Sequence, residues 1–338
     1  MKKAIALLLV AALACTFVFA NGTSEATAPA DKTYTIKIGH EFTTESPRHK
    51  GLEKFKSYVE EKSAGKIKVE LFPAGVLGKE AEMQESMKMG NLEAFVGGPF
   101  DTITPKLNLI LMPFFFEDQD ALMRVAHSEI GDKIRKDAEK NGLTILAIGN
   151  GGNRQITNNV REIKTPSDMK GLKIRTPNME SIIQCMKALG ANPVSIPYAD
   201  TYMALKTGVA DGEENPFANI GDMKFYEVQK YLTHIDYQFH PEVFSMNLKF
   251  YNSMPADLQK IVSDGAWLFA NTVNSIRSEM DKGYIKTIED YGTKIYKPTS
   301  AEKAEFQKAC APVYDYFVKK GVFTQEELDE VKRVSEGK

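Results

Sequence analysis

The sequence is poor in the residues that build metal centres and covalent frameworks: 338 residues contain three cysteines and five histidines. Three cysteines in such a length are too few for a disulfide scaffold, and no pair lies at zinc-ligand spacing. His40, His49, His127, His234 and His240 are scattered without metal spacing, so no metal site is expected. An excess of one charge sign is also missing, because 43 basic against 45 acidic side chains leave a formal charge of −2. Without a global cationic field, neither a nucleic-acid backbone nor an anionic membrane is an expected partner.

Reactive signatures are equally scarce. There is no G-x-x-x-x-G-K-[ST] loop, no H-E-x-x-H and no G-x-S-x-G. Gly149-Asn150-Gly151-Gly152 follows a strand-like run, but the polar and β-branched residues after it do not open a helix, which argues against a dinucleotide fingerprint. Ser63-Ala-Gly-Lys66 with Lys206-Thr207-Gly208 matches the S-x-x-K plus K-T-G pair of penicillin-recognising serine enzymes. Here the K-T-G ends a helical run, and Ser63 and Lys66 straddle a turn glycine. No catalytic residue and no cofactor are therefore expected.

What is present is ordinary globular material, 43% hydrophobic and 26% charged, of a length that suggests about two domains. Lys2 and Lys3 precede an apolar run from Ala4 to Ala14, and Val18-Phe19-Ala20 offers small residues where a signal peptidase reads, so residues 1–20 are expected to be a secretory signal peptide. A second reading puts cleavage before Cys15, leaving a lipid anchor there. No later stretch approaches the ~18 apolar residues of a transmembrane helix. Residues 21–32, rich in Ala and Thr, read as a flexible tether. Cys185 and Cys310 then remain in an oxidising compartment, as two buried thiols or as a disulfide; their spacing does not decide between these.

From Thr33 the pattern alternates strands and helices. Tyr34 to Gly39 and Ile67 to Phe72 read as strands around a helix over Ser46 to Lys62; Ala81 to Met89, Gly131 to Lys140, Met179 to Leu189 and Asp200 to Lys206 read as helices. Short strands are expected at Leu92 to Val96, Leu143 to Ile148, Leu172 to Arg175, Pro193 to Ile196, Leu232 to Gln238 and Val243 to Lys249. This is α/β grammar in two lobes. Residues 255–291 differ: an apolar period sustained over some 37 residues predicts a helix of ~55 Å, long enough to span both lobes, with Gly265 and Gly283 as places to bend.

Two segments carry candidate chemistry. In GLKIRTPNMES, Arg175 closes a strand, Pro177 holds Thr176 extended, and Asn178 is suited to cap the following helix. A guanidinium beside a helix N-terminus anticipates an anion, and its fork matches a carboxylate; an internal ion pair with Asp or Glu is the competing reading. In Asp211-Gly-Glu-Glu-Asn-Pro216, Asn215 is pushed towards an extended conformation, where its amide can donate and accept, or bond its own turn backbone. His40 and Glu41 end the first strand, where α/β proteins place ligands.

KIGHEFTTESPRHKG, KIKVELFPAGVLGKEAEMQESMKMGNLE, NRQITNN, DMKGLKIRTPN, GANPVSIPYADTYMALKTGVADGEENP and KFYEVQKYL follow one another in the order found in the extracytoplasmic solute receptors (DctP-type) of tripartite ATP-independent periplasmic (TRAP) transporters. The chain resembles that family from about Thr33 to Lys332. The resemblance implies a two-lobed periplasmic-binding-protein-like α/β fold with a long domain-spanning helix, lobe I over 33–151 plus 241–280 and lobe II over 152–240 plus 281–335. It implies a monomeric, periplasmic receptor that closes over a small organic acid and delivers it to small and large membrane subunits. Arg175 is implied as the carboxylate grip, Asn215 as its brace and Arg154 as a second arginine. His40, Glu41 and Tyr198 are implied as further contacts, with Glu80 and Tyr237 behind them.

Sialic-acid receptors of that family carry an acidic residue after the strand equivalent to Glu93–Val96, whereas Gly97-Gly98-Pro99 stands here. The departure speaks against sialic acid and for a hydroxylated sugar acid such as a hexuronate or aldonate. A C4-dicarboxylate or 2-oxo acid is the alternative. An exported enzyme acting on such an acid would have only His40 and Glu41 as base, and a receptor for a signalling partner would read identically in sequence.

Overall fold

A computed structural model describes residues 32–98 and 100–338. The expected signal peptide, Cys15, the tether up to residue 31 and Pro99 lie outside the described residues. Strands β1 (Tyr34–Gly39), β2 (Ile67–Phe72), β3 (Ala94–Val96) and β4 (Leu143–Asn158) alternate with helices α1 (Pro47–Lys62), α2 (Glu80–Met89), α3 (Gln119–Ala126) and α4 (Glu129–Asp137). There follow β5 (Lys173–Thr176), α5 (Glu180–Ala188), β6 (Asn192–Ser195), α6 (Thr201–Lys206), β7 (Gly212–Pro216), α7 (Phe217–Asp222), β8 (Tyr231–Thr233) and β9 (Phe239–Asn247). The chain ends with α8 (Leu248–Asn252), α9 (Ala256–Tyr291), β10 (Lys294–Tyr296), α10 (Ser300–Cys310), α11 (Pro312–Lys319) and α12 (Gln325–Ser335).

Local chemistry sets these elements. Ser46 caps α1 by accepting the His49 N–H at 3.1 Å, Pro47 occupies its first turn, and Leu52, Phe55 and Val59 recur on one buried face. Gly90, at φ +80°, closes α2 in the left-handed conformation that a side chain would resist. β1 and β2 then pair in parallel from Tyr34↔Ile67 to Gly39↔Phe72, as a crossover through a helix requires.

The ten strands of the described residues join in one network, ordered β2-β1-β3-β9-β4-β7-β5-β6, with β8 on β4 and β10 on β8. β4 is the continuous connector. Its first part pairs antiparallel with β9, the register slips between Asn150 and Asn153, and Arg154–Asn158 then pair with β7. The expected strand at Leu143 to Ile148 is thus only the start of a 16-residue strand that runs straight through the glycine-rich stretch.

Helix α9 is unbroken over 36 residues, about 54 Å. Its N-terminal half packs on α1, where a Cβ on Gly265 would lie 2.8 Å from Val59 Cγ2. Gly265 makes room for a neighbour within a continuous helix. Its C-terminal half packs on α7 through Gly221 and Tyr284. α12 goes to α3 and α4: Arg124 Nε donates to the Ser335 carbonyl at 3.0 Å, and Lys106 pairs with Glu327 at 2.6 Å. The C-terminal helix therefore docks on elements of residues 33–151.

Candidate functional site

Three adjacent strands bring the candidate polar groups together. Arg154 on β4 faces Pro216 in register, Gln155 faces Asn215 on β7, and Arg175 on β5 faces Glu213 on β7. Arg154, Arg175 and Asn215 are all buried and line a chamber of about 20 Å³, room for roughly one water molecule, with Phe42, Glu80, Gly98, Tyr198 and Asn219. Arg175, Glu80, Pro177 and Tyr198 also line a neighbouring cavity of about 340 Å³, together with Glu41, Lys79 and Asn178.

The two arginines are used differently. Arg154 is consumed internally: Nε and Nη2 both donate to Glu214, the latter at 2.9 Å, Nη1 donates to His240 Nδ1 at 2.8 Å, and Nη2 reaches Asn215 Oδ1 at 3.3 Å. Burial opposes its charge, yet the Glu214 carboxylate outweighs that and holds the guanidinium pKa above its ordinary value. Arg175 donates through Nε to the Ile196 carbonyl at 2.8 Å, and among the described residues its two Nη groups have no hydrogen-bond or ion-pair partner. Among the described residues Arg175 forms no internal ion pair with Asp or Glu, the competing reading of its sequence position.

The helix N-terminus beside it is also occupied. Met179 takes the cap position expected for Asn178, and Asp101 accepts the Glu180 N–H at 2.9 Å. The anion-seeking group at this point is thus the guanidinium alone.

Three of the acidic groups near Arg175 are held towards their neutral forms. Burial pushes Glu80 up to about 8, with the nearby Glu41 carboxylate adding to it, and burial pushes Glu213 up to about 7. Glu41 is likewise raised by burial. Two polar atoms, Tyr198 Oη and Glu41 Oε2, are buried without a hydrogen-bond partner, and both residues line the cavities. Asn215 donates through Nδ2 to Glu213 at 2.6 Å and accepts at Oδ1 from Asn219 at 3.1 Å, so both ends of its side-chain amide are held by neighbours.

His40 and Tyr237 lie away from the cavity walls. His40 Nδ1 accepts the Phe42 N–H at 3.2 Å, which leaves Nε2–H to face His49 Nδ1 at 3.1 Å; both ring nitrogens are spent inside the fold. Tyr237 donates to Glu214, standing behind the Arg154 pair. Asn219, Phe42, His240 and Met179 line the inner chamber without having been anticipated. Asn219 lies four residues after Asn215, but a strand-to-helix junction separates them, so no periodicity could signal it.

Residues 38–320 match the family described as bacterial extracellular solute-binding protein, family 7 (DctP). The chain belongs to this family. It is a TRAP-type solute-binding protein with the two-lobed α/β fold of that group. It is 29% identical over 304 residues to the 2,3-diketo-L-gulonate-binding periplasmic protein YiaO of Escherichia coli K12, covering 88% of this chain and 92% of that one. It superposes on a TRAP periplasmic solute-binding protein of Haemophilus influenzae RdAW with bound L-gulonate at a TM-score of 0.85 and 29% identity, covering 89% of this chain and 100% of that one. The sugar-acid-binding protein DctPAm of Advenella mimigardefordensis, in complex with galactonate, gives 0.85 at 26% identity, with 90% and 99% covered. Members of the family are extracytoplasmic receptors for small organic acids that work with membrane subunits. Among the described residues no helix is long and apolar enough to cross a membrane.

Proposed function

We propose that this receptor captures a sugar acid, a hexuronate or an aldonate, by its carboxylate and delivers it to the membrane subunits of a TRAP transporter. The observation that carries the reading is the buried Arg175, which lines both cavities and whose two Nη groups have no partner among the described residues, while Arg154 is neutralised by Glu214. A carboxylate accepting both Nη groups would complete the fork, at on the order of 1.5–3 kcal/mol per charge-assisted bond. Micromolar affinity requires about 8 kcal/mol in all. Glu41 and Tyr198 supply unspent oxygen atoms on the same cavity, which suits a chain of hydroxyls better than a second carboxylate. The relatives that bind gulonate, galactonate and diketogulonate support the same class.

In this reading Asn215 acts by bracing Arg154 and Asn219, and His40 and Tyr237 act as packing behind the site. The lobes meet along β4 and β9, lobe I being built on 33–151 plus 241–280 and lobe II on 152–240 plus 281–324, with α12 on lobe I. The protein works as an exported monomer that binds and releases its solute unchanged. A ligand bridging the lobes shifts an open–closed equilibrium by its preference for the closed form. A thermal-shift screen of organic acids tests the assignment, since a ligand of the folded form raises Tm. Hexuronates or aldonates should stabilise and be recovered chemically unchanged. Stabilisation by C4-dicarboxylates or 2-oxo acids alone would replace the ligand class, and turnover would replace the receptor.

A further inference from the structure

The fold brings together two residues that the solute site does not use. Cys185 on α5 and Cys310 at the end of α10 stand 125 residues apart in sequence, yet their sulfur atoms face each other at 3.3 Å. Both are fully buried thiols in the same apolar cluster as Ile182, Met186, Phe306 and Val313. A disulfide has sulfurs about 2.05 Å apart, so roughly 1.3 Å of approach separates the contact from a bond, within reach of small side-chain rotations.

We propose that Cys185 and Cys310 form a structural disulfide that pins the C-terminal helices to α5. The bond forms by thiol–disulfide exchange with an oxidised dithiol carrier. One cysteine thiolate attacks the carrier disulfide and releases one carrier sulfur as a thiolate; the second cysteine then displaces the other. The cysteine pair loses two electrons and two protons, and the carrier disulfide is reduced to two thiols.

Timing follows from burial. Burial and the neighbouring Cys310 push the Cys185 thiol well above its ordinary pKa, so in the packed protein it is a poor nucleophile and inaccessible to a carrier. Exchange therefore precedes the docking of α10 on α5, and docking then shields the bond from reductants. α5 follows directly on Pro177 and Met179, which line the inner chamber, so the bond fixes the scaffold of the site as well as the C-terminus.

The test is a peptide map of the full chain. The protein is unfolded in a maleimide without reductant and digested; a linked Cys185–Cys310 peptide free of maleimide is expected. The same map after refolding in a glutathione redox buffer removes any dependence on export. Maleimide on both cysteines after oxidising refolding would overturn the proposal. Cys185→Ser, Cys310→Ser and wild type refolded in reductant should share a Tm roughly 5–10 °C below that of the oxidised protein, as closing so long a loop implies. An unchanged Tm in all three would also overturn it. Should a variant not fold, the map of the wild type decides.

Discussion

Glu41 accepts the backbone N–H of Glu80 at 2.9 Å, which seats two acidic side chains together on the cavity that Arg175 lines. Glu80 in turn accepts the Gly98 N–H at 3.1 Å. Gly97 and Gly98 thus leave a place that Glu80 fills from α2.

Their raised pKa values have a consequence for stability. Glu80 rises from 4.5 to about 8 and Glu213 from 4.5 to about 7, both chiefly through burial. Such carboxyls keep their protons in the fold at pH values where the unfolded chain has lost them. Their favourable contribution is complete below about 4.5 and is lost as pH rises through 7 and 8. Tm should fall between pH 6 and 9, and less steeply in Glu80→Gln, whose amide oxygen can still accept from Gly98. An identical slope in the variant would remove Glu80 as the source.

Arg175→Lys keeps the charge and loses the fork. Because the Nη groups hold nothing within the described fold, the variant should unfold within about 1 kcal/mol of the wild type while losing at least tenfold in sugar-acid affinity by calorimetry. Unchanged affinity would sink the carboxylate assignment.

Arg154→Ala should behave in the opposite way. It strands the buried Glu214, whose carboxylate accepts from Nε and Nη2, and such a loss costs about 3–5 kcal/mol. Chemical denaturation should show a large drop in midpoint. A variant that is stable but blind to ligand would instead move Arg154 to the ligand-contacting groups.

His40 gives the acid limb. Burial, with His49 and Arg48 adding to it, pushes its pKa down to about 3. The ring stays neutral in the fold while the unfolded chain protonates near 6.5, so this group makes stability rise with pH from about 3 to 6.5. Long-range ¹H–¹⁵N spectra should show His40, assigned against His40→Gln, as the Nε2–H tautomer without titration between pH 8 and 5. A midpoint near 6.5 would contradict the buried geometry.

The α/β class, the first crossover and the long helix were legible because each rests on periodicity or a local cap: Leu52, Phe55 and Val59 announce α1 without any partner. β4 was legible only to Ile148, because the strand through Gly149–Asn158 is specified by pairing with β9 and β7 rather than by its own composition. The site followed the same divide. Arg175 and Asn215 could be singled out because Pro177, by holding Thr176 extended, marks the end of the strand that Arg175 closes, and Pro216 restricts the Asn215 backbone. The commitment of Arg154 to Glu214, and of His40 to His49, depends on side chains far apart in sequence or packed by the tertiary fold, and no local pattern contains it.

Gly221 tests how α9 reaches the second part of the sheet. A Cβ built there would lie 1.9 Å from Tyr284 Cδ1, far inside van der Waals contact, so the glycine is what lets α7 lie against the C-terminal half of α9. Gly221 sits within a helix, where alanine is otherwise favoured by about 1 kcal/mol, so local propensity predicts stabilisation and packing predicts the reverse. Overpacking costs typically about 1–3 kcal/mol, and here the neighbour is a ring that cannot shrink. Gly221→Ala should lower Tm, and Tyr284→Ala in the same chain should restore part of the loss, because the second change removes the atoms that the first one meets. A Gly221→Ala protein more stable than wild type would show that α7 and α9 can separate at little cost, and that the helix does not bind the two parts of the sheet together at this point.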